Sequence, residues 1–390
     1  MFRFATAGES HGRCLTGIVE GIPAGFEVDA AQINLELHRR QLGYGRGGRM
    51  LIEKDQIEFT AGVRHGMTLG SPICFSIRNR DWSHWEVPMS AEPVPSSANI
   101  RPLTRPRPGH ADLAGSLKYQ THDARNVLER ASARETAARV AVGALCKLFV
   151  KEFGMEIGSH VISIGSVSVD RKPEDLSANE ILAVKLDSAL RCVDPAAEQK
   201  MMALIDSAKA SGDTLGGVLE VISCSVPPGL GSHTQWDRKL DGSLAQALMS
   251  IPAAKAVEIG SGVSAAANFG SEVQDEIFYD EGKRSFYRKT NRAGGTEGGI
   301  SNGADIRVKV YMKPIPTLRK PLMSVDVVTK QPSEAAFERS DTCVVPAAAV
   351  IAESMVAIVL TRAFLEKFGG DSMAETRANF DHYRKLVSQY

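Results

Sequence analysis

The chain has 390 residues, 43% of them hydrophobic and 24% charged. That is globular composition, with enough apolar mass for one large core or two smaller ones. Forty-six basic residues balance forty-six acidic ones, for a net charge of +0. No bulk field therefore recruits nucleic acid or an anionic membrane, and any anion site must come from local clustering.

The six cysteines show no C-x-x-C and no paired spacing, which argues against metal or disulfide frameworks and fits a reducing compartment. Arg3, Glu9 and Arg13 leave no apolar segment at the start, so no signal peptide and a cytoplasmic location are expected.

In chain order, residues 13–22 read as a strand closed by Pro23-Ala24-Gly25. Asp29 is placed to cap a helix over 30–41, with Ile33, Leu35 and Leu37 among its apolar positions. Strands are expected over 56–63 and 72–78. Residues 81–108 are rich in Pro, Ser and Trp and have no period; an irregular connection longer than about 15 residues is usually functional in a compact domain. The spacing of Val127, Leu128, Ala131, Ala138, Val142, Leu145 and Leu148 predicts one long helix over 126–153, ended by Gly154.

Further on, a strand is expected over 160–169. Asp194-Pro195 opens a helix reaching about residue 210. A strand over 214–226, a helix over 236–251 and a strand over 306–312 follow. The last long helix is expected over 346–368; Pro346, Glu353 and Ser354 interrupt its apolar run and favour a buried helix over a membrane span. Gly17-Ile18-Val19-Glu20 and Gly217-Val218-Leu219-Glu220 each precede a Pro/Gly stop and a helix, which hints at two similar halves.

Five groups of residues carry chemistry. Residues 36–50 hold four arginines and four glycines. Glycine lets a backbone approach a ligand closely, and the arginine fork fits phosphate or carboxylate oxygens. Gly43, Gly45 and Gly48 match G-x-G-x-x-G, but a helix precedes them and a strand follows, the reverse of a dinucleotide-binding turn.

In Gly8-Glu9-Ser10-His11-Gly12, small residues flank a histidine able to move a proton near neutral pH. Residues 101–112 set Arg101, Arg105, Arg107 and His110 among prolines, which fixes the charges in advance. Arg130 and Arg134 are spaced to share a helix face. Finally, the Gly-rich run 294–303 and Lys313-Pro314-Ile315-Pro316-Thr317 could cradle a phosphate-bearing cofactor. No ATP P-loop motif is present. Together these stretches describe a site for a small polyanion.

Ser10-His11-Gly12, Arg39-Arg40-Gln41 with Tyr44 to Arg49, Arg107 to Asp112, Arg130 to Thr136, Gly298 to Ser301 and Arg339-Ser340-Asp341 occur in this order. In these blocks, spread over residues 1–370, the chain resembles the chorismate synthase family. The resemblance implies a single domain over 1–390 of the α+β class: a β-α-β sandwich of two antiparallel sheets around a layer of long helices, with internal pseudo-symmetry. It implies a homotetramer in the cytoplasm, with no nucleic-acid or membrane partner and no metal.

The implied reaction is the 1,4-anti elimination of phosphate from 5-enolpyruvylshikimate 3-phosphate to give chorismate, dependent on reduced FMN without net redox change. NADPH is a possible reductant. By position, His110 would protonate the departing phosphate, His11 with Ser10 would steady or protonate the reduced flavin, and Asp341 would assist proton removal. Substrate contacts carry over to Arg40, Arg46, Arg49, Arg107, Ser132, Arg134 and Arg339. Cofactor contacts carry over to Arg130, Ala131, Ser132, Pro252, Ala253, Gly298, Lys313, Pro314, Ile315, Pro316, Thr317 and Arg339, with Arg40 and Arg46 toward NADP. Proline at 252 stands where many relatives have a polar residue, so a side-chain contact to FMN there is in doubt.

Overall fold

The computed structural model describes residues 1–47, 53–95, 97–98, 100–172, 175–282, 284–338 and 341–390. Arg49 and Arg339, both expected substrate contacts, lie outside the described residues.

Two antiparallel sheets frame the molecule. The first has four strands in the order Arg3–Ala7, Cys14–Glu20, Ile73–Arg78, Ile57–Ala61. The second has five, in the order Ala254–Ile259, Ile306–Met312, Gly217–Cys224, Glu156–Ile164, Val167–Ser168. The two echoing segments are thus inner strands of different sheets. Alternation sets which face each sheet buries: Leu15, Val19, Ile73, Phe75 and Ile77 face inward from the first, and Leu219, Val221, Val308 and Val310 from the second.

Long helices fill the core. Helix α1 (Ala30–Gln41) starts where Asp29 accepts the backbone N–H groups of Ala31 and Gln32, as predicted. Helix Val345–Phe368 is buried along nearly its whole length. Although long and apolar enough to cross a bilayer, it has 83% of its apolar window covered by the rest of the fold. One core cluster runs from Phe2 to Phe380 and joins both sheets to this helix.

The structure corrects the sequence reading in three places. The long helix expected over 126–153 is broken into α3 (Arg125–Ala131), a short 3-10 turn at Ala133–Glu135, and α4 (Thr136–Lys151). Ser132 interrupts it in an extended conformation (φ −66°, ψ 144°) and caps the turn by accepting Arg134 N–H at 3.3 Å. Serine competes with the helix ladder in this way because its hydroxyl offers the backbone another partner. A helix missed in the sequence, α2, begins at Asp112 and ends at Tyr119. The other, Met373–Gln389, starts in a Ser372–Glu375 capping box.

Candidate active site

The break at Ser132 decides the site. On a continuous helix Arg130 and Arg134 would share a face; instead they diverge. Arg130 turns back to the first strand, donating to Gly8 O, Thr6 O and Thr6 Oγ1 at 3.0, 3.0 and 2.8 Å. Arg134 is buried: Nη1 donates to Asp55 at 2.6 Å, Nε and Nη2 donate to Asn79 Oδ1 at 3.0 and 2.8 Å, and Nη2 lies 3.2 Å from Glu53. Glu129 and Glu135 are buried as well, at 2% and 5% exposed.

Asn79 ties this arginine to the Ser-His loop, since its amide donates to Glu9 O and Gly12 O. In that loop Ser10 N–H donates to Glu129 O at 2.9 Å, and Ser132 Oγ donates to Ser10 Oγ at 3.2 Å. His11 is held on three sides. Both Glu129 carboxylate oxygens are 3.0 Å from its Nδ1, its backbone N–H donates to Glu129 at 2.9 Å, and its ring stacks on Trp85 at 3.9 Å. Arg125 donates to Glu129 at 2.8 Å and lies 5.0 Å over the Trp85 ring. Burial acts to raise the Glu129 pKa, but the bonds and charges of His11 and Arg125 outweigh it and hold it low. Beside Trp85 and Arg125 opens a cavity of about 300 Å³, lined also by Val87, Pro88, Ala98, Ile100 and Arg101.

Arg40 enters the same neighbourhood from the end of α1. Its Nε donates to Thr136 Oγ1 at 3.0 Å and Nη2 to Ala133 O at 2.9 Å, while Nη1 stands 3.8 Å from Asp55. Burial pushes its pKa down to about 10; Asp55 opposes this, and the like charges of Arg134 and Arg46 add to it. Arg46 pairs with Asp341 at 2.8 Å, and Gly47 N–H donates to the other oxygen of that carboxylate at 2.5 Å. Positive φ at Gly43 (119°) and Gly45 (84°) lets the loop pass Pro346 and Cys343 without a Cβ in the way.

A second cluster surrounds His110. Arg107 donates to Asp112 through its backbone N at 3.0 Å, Nε at 2.8 Å and Nη2 at 3.1 Å, and to Thr317 Oγ1 at 3.0 Å. His110 Nδ1 is 2.5 Å from Asp112 Oδ1. Burial works to raise the Asp112 pKa, but His110 and Arg107 hold it well below the usual carboxylate range. Lys313 Nζ donates to Gly109 O, and Lys313 N–H to Ala253 O at 2.9 Å, which joins two of the predicted cofactor segments to the His110 loop. Thr214 Oγ1 donates to Ile315 O at 2.8 Å and fixes the Pro-rich turn.

Glu135–Arg139–Ser250 links α4 to the residues just before Pro252 and Ala253. Gly298 is placed differently. It forms, with Gly299, the tight turn of a hairpin at the start of helix Leu240–Met249, both residues at positive φ (61° and 89°). Ala253 follows the other end of that helix, about 15 Å of rise away.

Reasoning from sequence missed Glu129, Trp85, Arg125, Asn79, Glu53 and Asp55. Asp112 stood in a quoted motif without a role; its position two residues after His110 was the available signal.

The chorismate synthase family model matches residues 2–365. The chain is 56% identical over 392 residues to the chorismate synthase of Solibacter usitatus, covering 100% of both chains. It is 55% identical over 396 residues to that of Aquifex aeolicus, covering 100% of this chain and 98% of the other. A crystal structure of a chorismate synthase superposes with a TM-score of 0.81 at 46% identity, covering 100% of this chain and 99% of that one.

Proposed function

The chain belongs to the chorismate synthase family, carbon–oxygen lyases that convert 5-enolpyruvylshikimate 3-phosphate to chorismate, and from that premise we propose how its residues perform the elimination. The carrying observation is that cations and imidazoles from distant segments are held in place by buried carboxylates: Arg40 and Arg134 on Asp55, His11 on Glu129, His110 and Arg107 on Asp112.

Reduced FMN fits the donor set. Lys313 has its pKa lowered by burial and by nearby Lys255, so a phosphate there would relieve two ammonium groups at once. Gly109, at φ +77°, presents a face without Cβ toward Lys313 and Pro316. Lys313, Pro314, Ile315, Pro316, Thr317, Ala253, Arg130, Ala131 and Ser132 would hold the cofactor, Pro252 through its backbone only. When bound, the reduced flavin lends electron density to the substrate and recovers it.

The residues of the chain do the rest. Arg107 and Arg46, with Arg49 and Arg339, neutralise the substrate carboxylates and phosphate, and Arg40 strengthens the field from behind. Arg134 keeps Asn79 and the Ser-His loop in position. His110 gives a proton to the departing phosphate; stabilising charge on a leaving group is commonly the largest catalytic contribution. Asp341, oriented by Arg46, assists removal of the C6 proton. His11, supported by Ser10 and Ser132, steadies the reduced cofactor. Closure of the Arg/Gly loop excludes water.

We read the assembly as a cytoplasmic homotetramer, in which Gly298 serves a site completed by another copy. Exposed Ile277, Tyr279 and Phe286 on the hairpin Ile277–Asp280 and Ser285–Arg288 support such contacts. The two sheets flanking long helices support a β-α-β sandwich, and the matched inner strands Cys14–Glu20 and Gly217–Cys224 support its pseudo-symmetry. NADPH is a possible reductant in this reading, with Arg40 and Arg46 as its contacts.

The test is anaerobic: substrate and chemically reduced FMN are mixed with the protein, and chorismate and phosphate are measured. Absence of both, with folded protein and bound flavin, rules the reading out. His110→Ala is expected to slow phosphate release about 100-fold or more while FMN affinity stays within about threefold; equal losses in both would remove its role as acid.

A further inference from the structure

We propose that Glu129 and Asp112 are positioning residues that fix His11 and His110 through Nδ1, so that each histidine exchanges its proton at Nε2. The inference rests on the reading of His110 as proton donor to the leaving phosphate and of His11 as the group that steadies or protonates the reduced flavin. It assigns roles to two carboxylates and a direction to two imidazoles.

The two arrangements share a plan but not a scaffold. Glu129 comes from α3 and reaches across to the loop holding His11, 118 residues away in sequence. Asp112 opens α2, two residues beyond His110. Both carboxylates are 2% exposed, and each is backed by an arginine: Arg125 at 2.8 Å on Glu129 and Arg107 at 2.8 Å on Asp112. The bonds and charges of His11 and Arg125, and of His110 and Arg107, keep the carboxylates ionised, and an ionised carboxylate only accepts hydrogen bonds. Nδ1 must therefore carry the proton in both rings, and the nitrogen bonded in this way sets the role of the other.

One contact competes. Arg107 Nη2 is 3.1 Å from His110 Nδ1 and would favour the opposite tautomer if it donated there. Asp112 Oδ1 is nearer, at 2.5 Å, and carries the opposite charge, so the carboxylate decides. His11 has a second constraint on its plane, the stacked Trp85 ring at 3.9 Å.

Among the described residues, the charged groups facing His11 include Glu129 and Arg125, with Glu338 behind Arg125 at 3.5 Å. Those facing His110 are Asp112, Arg107 and Lys313. In each set the carboxylate is the group in direct contact with Nδ1 of the ring.

The experiment is ¹⁵N-histidine NMR of the whole protein, with side-chain signals assigned from His11→Asn and His110→Asn. The expected result is a proton on Nδ1 at both residues, with Nε2 losing its proton on titration. An Nε2–H tautomer of either neutral ring overturns the proposal. Turnover with reduced FMN is then compared in Glu129→Gln and Asp112→Asn. Each should lose about 10- to 100-fold in kcat, with KM for substrate within about threefold. Variants that keep the wild-type kcat would contradict the assignment. A wild-type protein that binds FMN yet forms no chorismate would instead sink the proton-donor reading, leaving the tautomers to stand or fall by the spectra.

Discussion

Arg39 and Arg40 follow one another on α1, about 100° apart around its axis, and enter opposite surroundings. Arg39 meets Glu353 at 2.8 and 2.9 Å and Glu36 at 2.6 Å. Glu353, fully buried on helix Val345–Phe368, also takes Lys147 at 2.7 Å, Ser159 Oγ at 2.6 Å and Arg191 at 3.0 Å. Burial lowers the Arg39 pKa, yet Glu353 and Glu36 more than reverse this and raise it above the ordinary arginine value. Arg40 has Asp55 at 3.8 Å and, farther off, Asp341 as counter-charges, and its buried Nη1 has no hydrogen-bond partner among the described residues. One guanidinium is saturated by its own fold. The other is held charged against burial and against its neighbours, a condition that an arriving anion relieves.

The strongest way to break the comparison is at the centre of the saturated network. Glu353→Gln leaves Arg39, Lys147 and Arg191 around a neutral group, and removing one partner of a buried ion pair costs about 3–5 kcal/mol. Urea unfolding should show that loss, and a change below about 1 kcal/mol would mean the network is not stabilising. The same residue predicts a pH dependence. Burial alone would raise the Glu353 pKa, but Lys147, Arg39 and Arg191 lower it below the ordinary 4.5. A depressed carboxylate contributes stability above its unfolded pKa and loses it as pH falls through the folded value. Wild-type stability should therefore fall more steeply than that of Glu353→Gln as pH drops below about 4.5.

Arg39→Gln should cost about 2 kcal/mol, because Glu353 keeps two cations and one hydroxyl, and substrate affinity should be unchanged once folded protein is counted. Arg40→Gln should reverse the pattern, with a stability loss of about 1 kcal/mol or less and an affinity for substrate weaker by about tenfold. Equal effects of the two substitutions on substrate affinity would erase the distinction. The smallest expected effect sharpens the same boundary: Tyr44→Phe removes an exposed bond to Asp206 at 2.8 Å and should change stability by less than about 0.5 kcal/mol.

Much of this was legible before any coordinates. The cap at Asp29, the Asp194–Pro195 start and the apolar run of the 345–368 helix are local signals, and the elements form where those signals stand. The break at Ser132 was not legible, because Ala131, Ala133 and the flanking apolar positions keep helical spacing across it, and only the packing of Arg134 against Asp55 and Asn79 shows why the chain turns there. Identical residue types at 39 and 40 gave no hint of their different surroundings, since Glu353 lies 314 residues from Arg39. The histidines announced themselves by their Gly and Pro settings; Glu129, which orients one of them, looked like an ordinary helical charge.

The central claim is an elimination driven by positioned cations and acids with no net redox change. A single-turnover mixing of the protein, substrate and pre-reduced FMN without oxygen, following flavin absorbance while chorismate and phosphate are quantified, addresses it in one reaction. The account predicts one chorismate and one phosphate per site, with the flavin as reduced at the end as at the start. Flavin oxidised in proportion to product, or phosphate released without chorismate, would contradict it.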